Sequence, residues 1–459
     1  MIKNIKKIME PNSIAVIGVS SKKSNLGNQF AESILSSGYQ GKIYLVHPKN
    51  QEVYGIKTYQ SLSSIGKPVD LAIIALNPIL TIKILEECGK LGIPSAICAS
   101  GGFGELGNEG KELGNKLYHI AKEWKVEIVG PNTFGIINME KNLNATFGPM
   151  DDLIKGKISM LSQSGGIGLS FLQECINEGI GINKWIGVGN RGTLEFSNYL
   201  NYLEKDEGTD VIAIYLEGTE KPREFIEIAN KISQNKPIIV YMVGRTDIAK
   251  EATLTHTGSM AGHYKLYSDI FEQFGLLKAN SLIELVMKCK ALSLAPLPNG
   301  PRVGIITMTY GPGIVAVDEL IERKGTEIKQ FSNETLSALQ KTIKDRADFF
   351  KNPLDIAPSG FDAVKYGKIV DIVLRDPKVD ILLAIYAYAK NWRFPTIEII
   401  DAFKKYHKPI ICCYISTKDK ALKEMNILHE NGIPVYLNIE SAVMGISGLI
   451  EYQKTKHKK

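Results

Sequence analysis

Short β-branched runs alternate with longer stretches of helical apolar periodicity along the whole chain, the pattern of parallel α/β sheets. A first set of runs falls at 13–18, 42–46, 70–76, 94–99 and 126–129, and Phe147-Gly148-Pro149 then breaks the rhythm. A second set lies near 157–161, 185–188, 211–216 and 237–242. It closes in a stretch of breakers, Ala295-Pro296-Leu297-Pro298-Asn299-Gly300-Pro301. A third set runs 303–308, 326–329, 379–387, 409–414 and 434–437. Three consecutive doubly wound α/β domains are therefore expected, at 1–148, 149–295 and 302–459. Each is long enough to bury its own core, and no short-period solenoid repeat is visible. Tyr267, Ile270, Phe271 and Phe274 stand at helical spacing, which predicts a helix with Ser259 as its N-cap and His256 just before it.

Composition narrows the function classes. At 459 residues the chain fits about three domains of ~150 residues each. Its 44% hydrophobic and 23% charged residues are those of a soluble globular protein. The net charge of +6 is modest and partly sits in the tail Lys454-Thr455-Lys456-His457-Lys458-Lys459. No basic patch is interleaved with aromatics, so nucleic acid is not an expected partner. The six cysteines form no CxxC pair and no ligand cluster, and read as buried reduced thiols. The opening residues Met1-Ile2-Lys3-Asn4-Ile5-Lys6-Lys7 lack the apolar core of a signal peptide, and no stretch approaches ~18 apolar residues. A cytoplasmic chain with no membrane span and no metal site is expected.

In the first unit, Val16-Ile17-Gly18 ends a strand and leads through Val19-Ser20-Ser21 towards Gly27 and a helix. This is similar to a dinucleotide fingerprint, but Ser20 occupies the second glycine position. The second strand ends in Val46-His47-Pro48-Lys49, not in the acid that would bond an NAD ribose. A basic residue at that edge, Lys49, suits a phosphorylated ribose such as that of coenzyme A. Three further loops follow successive strands: Ala75-Leu76-Asn77-Pro78, Ala99-Ser100-Gly101-Gly102-Phe103-Gly104-Glu105 and Gly130-Pro131-Asn132-Thr133. Open α/β sheets place ligands at these carboxyl edges, although Gly104 and Gly130 serve equally well as turn formers. Taken together the unit resembles a Rossmann-like CoA-binding domain. The resemblance implies CoA contacts from Gly18, Val19, Ser20, Ser21, Lys49, Ala75, Asn77, Pro78, Ser100, Gly101 and Gly102. Thr133 departs from the cysteine often found in that family and is assigned no chemistry.

In the second unit, Ser162-Gln163-Ser164-Gly165-Gly166 follows a strand and opens an apolar helix. Backbone N–H groups at such an end attract phosphate, helped by about half a positive charge from the helix dipole. A plain structural cap is the alternative. Glu217 ends the run Ile212-Ala213-Ile214-Tyr215-Leu216, where a carboxylate can hold an imidazole in the tautomer that leaves its other nitrogen free to attack. The decisive segment is Thr255-His256-Thr257-Gly258-Ser259-Met260-Ala261-Gly262, a histidine among small residues ahead of a helix. A lone histidine there would read as an ordinary loop residue. The whole octet, however, resembles the phosphohistidine loop of the NDP-forming acyl-CoA synthetases, relatives of succinyl-CoA synthetase.

That resemblance extends over nearly the whole chain, which looks like the alpha subunits of ADP-forming acetyl-CoA synthetases. It implies a Rossmann-like CoA domain followed by two flavodoxin-like ligase domains. It also implies His256 as phosphoryl carrier, Glu217 as its orienting partner, and phosphate held by Ser162, Ser164, Gly165, Gly166, Thr257 and Gly258. The implied reaction is acyl-CoA + ADP + phosphate ⇌ acid + ATP + CoA, through an acyl phosphate. Gly187-Val188-Gly189-Asn190 also matches a family turn. Tyr310-Gly311-Pro312-Gly313 and Asn352-Pro353-Leu354-Asp355 are similar to segments of the family's last domain and read as turns. No segment reads as an ATP-grasp domain, and no Walker Gly-x-x-x-x-Gly-Lys-Ser/Thr loop is present. ADP or ATP with Mg²⁺ is therefore expected on a separate ATP-grasp beta subunit, in an α₂β₂ assembly. A non-catalytic CoA- or acyl-CoA-binding regulatory protein of the same fold is the alternative function. A nicotinamide oxidoreductase is disfavoured by Ser20 and His47.

Overall fold

The computed structural model describes residues 2–22, 24–49, 52–105, 107–148, 152–251, 264–344, 350–388, 390 and 392–457. By contact the chain divides into two compact units, Met1–Ile176 with Gly181–Asn280, and Asn177–Ile180 with Ser281–Lys459. The first unit holds two sheets.

The first sheet contains β1 (Ser13–Ile17) and β2 (Lys42–Val46), then β5 (Leu71–Ile74), β6 (Ser95–Cys98) and β7 (Glu127–Val129). A two-stranded ribbon, β3 (Glu52–Val53) with β4 (Ile56–Lys57), lies between β2 and β5 in sequence. The order is β2-β1-β5-β6-β7, all parallel. Each strand is equal to its apolar run or one to three residues shorter.

The second sheet adds an antiparallel hairpin, β8 (Gly135–Asn138) and β9 (Leu143–Thr146), to five parallel strands. These are β10 (Lys155–Ser162), β11 (Ile182–Gly187), β12 (Val211–Leu216), β13 (Ile238–Met242) and β14 (Leu277–Ala279), in the order β14-β13-β12-β10-β11-β8-β9. All six residues of β12 are buried, as its unbroken apolar run requires of a central parallel strand. The hairpin was not legible in the sequence. Its strands are four residues long, and β8 pairs only three residues of β11, Ile186 to Lys184. It nevertheless ties residues 135–146 to the second sheet, so the unit boundary does not fall at 148. One apolar core runs through both sheets, from Ile14 and Val16 to Leu161, Ile186 and Phe196.

The second unit is built on β15 (Val303–Thr307), β16 (Leu354–Asp355), β17 (Ile381–Ala387), β18 (Ile410–Ile415) and β19 (Val435–Tyr436). They pair in parallel in the order β16-β15-β17-β18-β19. The helix Leu282–Leu294 belongs to this unit, upstream of the Pro-rich stretch that the sequence offered as a boundary. Three local readings are corrected. The run 326–329 makes only a single bridge, Arg302 with Glu327. The edge is taken by β16, which had read as a turn. Asn352 explains the exchange: its buried amide accepts from Ile305 N–H and donates to the carbonyls of Val303 and Lys329, joining the segments with side-chain bonds. Tyr310 likewise opens a helix, Tyr310–Glu322, rather than a turn.

Each of the three parallel arrays has its second strand at the edge, then its first, third, fourth and fifth. The chain direction therefore reverses beside the first strand, and the loops after the first and third strands flank a crevice there. All six cysteines are buried and unbridged. Among the described residues no helix is long and apolar enough to cross a membrane.

Candidate functional site

The switch point of the first sheet lies between the loops after β1 and β5. Gly18 has φ +100°, and a Cβ on it would stand 2.4 Å from the Ala75 carbonyl oxygen. The helix Leu26–Ser36 presses as closely on the strand end, since a Cβ on Gly27 would lie 2.5 Å from the Gly18 carbonyl group. Gly27 thus supplies the close helix–strand approach of a nucleotide loop, and Ser20 is accommodated differently. Its N–H donates to Asn28 Oδ1 at 2.8 Å, while Asn28 Nδ2 donates to the carbonyls of Ser20 and Lys22 at 2.8 and 3.0 Å. Asn28 is buried, and shapes the whole turn from behind. Val19 turns its side chain into the core, so it offers only backbone; Ser21 is exposed.

Beside this loop, Asn77 caps the helix Pro78–Lys90 by accepting from Leu80 N–H, with Pro78 at its first position. At the end of β2 the Lys49 N–H donates to His47 Nδ1 at 3.1 Å, and the Lys49 side chain is exposed. The glycine turn after β6 is closed by Glu105, whose Oε2 accepts from the N–H groups of Gly102 and Phe103, both at 2.9 Å. Its Oε1 accepts from Asn190 Nδ2 at 2.6 Å. Burial pushes the Glu105 carboxyl up, but the bonds from Asn190 and the two backbone groups outweigh it and hold the pKa below its ordinary value.

Asn190 belongs to the turn after β11, so Glu105 joins the two sheets. The junction is reinforced by Asn190 N–H to the Pro131 carbonyl at 2.9 Å and Gly192 N–H to the Gly130 carbonyl at 2.7 Å. Thr133 is buried and donates to the Gly187 carbonyl, which gives this position a structural task. A cleft of about 220 Å³ opens at the junction, lined by Phe103, Glu105, Tyr118, Asn190, Arg191 and Glu220 among others. Burial first, then the Glu220 and Glu105 carboxylates, push the Tyr118 phenol up to about 12.

The switch point of the second sheet brings together the loops after β10 and β12. Ser162 is fully buried and donates its hydroxyl hydrogen to the Ser164 carbonyl at 2.6 Å. It therefore shapes the turn, and the hydroxyl left facing outward is that of Ser164, which also accepts from Ile167 N–H at 3.4 Å. Gly165 and Gly166 open the helix Gly165–Glu178, with Gly166 exposed. Gln163 reaches across to the other loop, its Oε1 accepting from Glu217 N–H at 2.9 Å and Gly218 N–H at 3.3 Å. Glu217 is only 6% exposed and lies next to Tyr215, whose phenol burial and the Glu217 charge both raise. His256, Thr257 and Gly258 lie outside the described residues. The helix expected behind them spans Tyr264–Gln273, with Phe271 buried and Tyr267, Ile270 and Phe274 against the same core.

Sequence reasoning passes over Asn28, Gln163, Arg191 and the role of Glu105. Asn28, Gln163 and Glu105 act on backbone groups of residues that it does select, Ser20, Glu217 and Gly102, and Arg191 acts on the Gly218 carbonyl next to Glu217. Their signal was proximity: each stands within eight positions of a glycine in a site loop.

Two family models match this chain, a CoA binding domain over residues 12–139 and a succinyl-CoA ligase-like flavodoxin domain over 155–292. An ADP-forming acetate–CoA ligase II alpha subunit from Pyrococcus furiosus is 36% identical over 97% of both chains. The chain belongs to the ADP-forming acetate–CoA ligase family. The family's second alpha subunit from P. furiosus is 34% identical over 99% of each chain. A longer ADP-forming acetate–CoA ligase from Archaeoglobus fulgidus is also 34% identical, but this chain spans 64% of it. Among solved structures, a dinucleotide-forming acetyl-coenzyme A synthetase 1 from Ca. Korarchaeum cryptofilum, in complex with phosphate and ADP, superposes with a TM-score of 0.90. It is 31% identical, over 99% of this chain and 97% of that one. Such relatives support the catalytic reading of this acid–CoA ligase fold over the regulatory one.

Proposed function

We propose that the chain is the alpha subunit of an ADP-forming acyl-CoA ligase, acting on CoA and a small carboxylic acid such as acetate. The observation that carries this is the presence, inside one compact unit, of two switch-point crevices: the Gly18–Asn28 cradle and the Gln163–Glu217 corner. The cradle fits CoA, because the close packing of Gly27 on the Gly18 carbonyl brings the N-terminus of the helix Leu26–Ser36 to the end of β1, where a pyrophosphate can come close. Lys49 at the β2 end then meets the 3′-phosphate.

In the acyl-CoA direction, a phosphate oxygen attacks the thioester carbonyl and the C–S bond breaks, giving acyl phosphate and CoA thiolate, which takes up a proton. The helix end at Ser164, Gly165 and Gly166 supplies donors for the phosphate, as do Thr257 and Gly258. A ring nitrogen of His256 then attacks phosphorus and the carboxylate leaves. Glu217 holds the other ring nitrogen's proton and balances the growing positive charge. The phosphohistidine finally passes its phosphoryl group to ADP. Among the described residues no group of three or more His, Cys, Asp or Glu could hold a metal ion. Mg²⁺ enters with the nucleotide on a separate ATP-grasp beta subunit, in an α₂β₂ assembly. The longer relative supports this division, since it carries about a further third of sequence in one chain.

The test is labelling with radioactive acetyl phosphate or ATP in the complex with the co-purifying partner. Label should appear on His256, vanish in His256→Ala with CoA binding retained, and form roughly 10²-fold more slowly in Glu217→Gln. Full ATP synthesis by His256→Ala would sink the mechanism.

A further inference from the structure

We infer that Arg191 is a positioning residue for phosphoryl transfer, holding the Glu217 corner in its working geometry; this rests on the proposed role of Glu217 beside His256. Arg191 follows Asn190 in the turn after β11 and has φ +58°. A residue with a Cβ adopts that region only at a steric cost. It is kept there because the amides on either side, Asn190 and Gly192, are bonded to the carbonyls of Pro131 and Gly130. The left-handed turn points the side chain inward, where it is only 3% exposed.

Inside, the guanidinium acts on the residues directly after Glu217. Nη1 donates to the Gly218 carbonyl, and Nε stands 3.6 Å from Glu195 Oε1. The other oxygen of Glu195 accepts from Thr219 Oγ1 at 3.2 Å. Gln163 already holds the N–H groups of Glu217 and Gly218. The corner is thus gripped on its N–H side by Gln163, on its carbonyl side by Arg191, and at Thr219 by Glu195. Gly218 has no side chain to resist rotation. Release of its carbonyl frees the peptide after it, and with it the placement of the neighbouring Glu217 carboxylate.

The grip also requires the geometry of arginine. A planar guanidinium can serve a carbonyl and a carboxylate at once and stays charged throughout the working pH range, whereas an ammonium acts as a point charge. The same cation opposes the burial that raises the Tyr267 phenol, which places its field on the helix Tyr264–Gln273 behind the His256 segment.

The experiment is a double-mutant cycle on the complex with its co-purifying partner, reading single-turnover labelling from radioactive acetyl phosphate. Arg191→Gln should slow labelling roughly 10²-fold, with KM for phosphate changed less than about twofold. Arg191→Lys should recover part of the rate. Arg191→Gln/Glu217→Gln should label no more slowly than Glu217→Gln alone, because both act through one carboxylate. Rate losses that multiply in full, or a raised KM for phosphate at unchanged kcat, would overturn the inference. Should Arg191→Gln fail to fold, the same cycle run with Arg191→Lys decides it. A wild-type complex that never labels His256 would instead overturn the underlying reading, and is a separate result.

Discussion

At the residue scale the site is held by side chains that need not touch a substrate. Asn28 is the clearest case: one buried amide makes three bonds to the turn Ser20–Lys22 and matches its donors and acceptors to backbone groups of both kinds. A carboxamide is what the turn needs, because aspartate lacks the donors and leucine lacks both. Asn28→Ala leaves the Ser20 amide and two carbonyls to find other partners, at about 1–3 kcal/mol. Isothermal titration should show CoA binding weakened by roughly tenfold, the equivalent of about 1.4 kcal/mol. Unchanged affinity would mean that the turn keeps its shape without this support. Ser162 teaches the converse. Its place in a Ser-x-Ser-Gly-Gly motif reads as that of a phosphate donor, yet its hydroxyl is committed to the Ser164 carbonyl. Which of two serines faces out depends on the path of the turn, and residue type does not encode it.

At the element scale the catalytic edge is made by loops that lock to one another across the two sheets. Glu105 is the latch, tying the turn after β6 to the turn after β11. Its folded pKa is depressed, so its contribution to stability is fully present above the unfolded value of about 4.3 and is lost as pH falls through the folded value. Thermal melts should therefore lose Tm as pH drops below about 4.3, and Glu105→Gln should flatten this acid limb while lowering Tm at pH 7. Parallel acid limbs for both proteins would remove Glu105 from the account. The central strands were legible because burial on both faces demands unbroken β-branched runs, as at Val211–Leu216. The hairpin Gly135–Asn138 and Leu143–Thr146 was not, because two short segments acquire meaning only from the strand they pair with, β11. The stretch 326–329 failed for the same reason: the edge it suited in composition went to Leu354–Asp355, drawn in by the amide of Asn352.

At the scale of the whole molecule, two switch-point crevices share one compact unit. CoA should stabilise the chain by about 2.7 kcal/mol at 100-fold excess over its dissociation constant, read as a shift in unfolding midpoint. Dephospho-CoA should bind more weakly, since Lys49 loses its 3′-phosphate; equal affinity would withdraw Lys49 from the site. The order of runs and breakers by itself determined that the chain is an α/β protein of successive parallel sheets. Local motifs determined which strand ends carry glycine turns, because a tight turn and a helix start are encoded within a few residues. Tertiary structure alone decided that the loops after β1 and β5, and those after β10 and β12, flank the switch points of their sheets. It also decided that Asn28, Gln163 and Arg191 support them, and that Glu105 ties the turn after β6 to the turn after β11. These facts depend on strand order and on contacts between residues as far apart as Gln163 and Glu217, and no local propensity reports a bond that closes only when the sheets have formed.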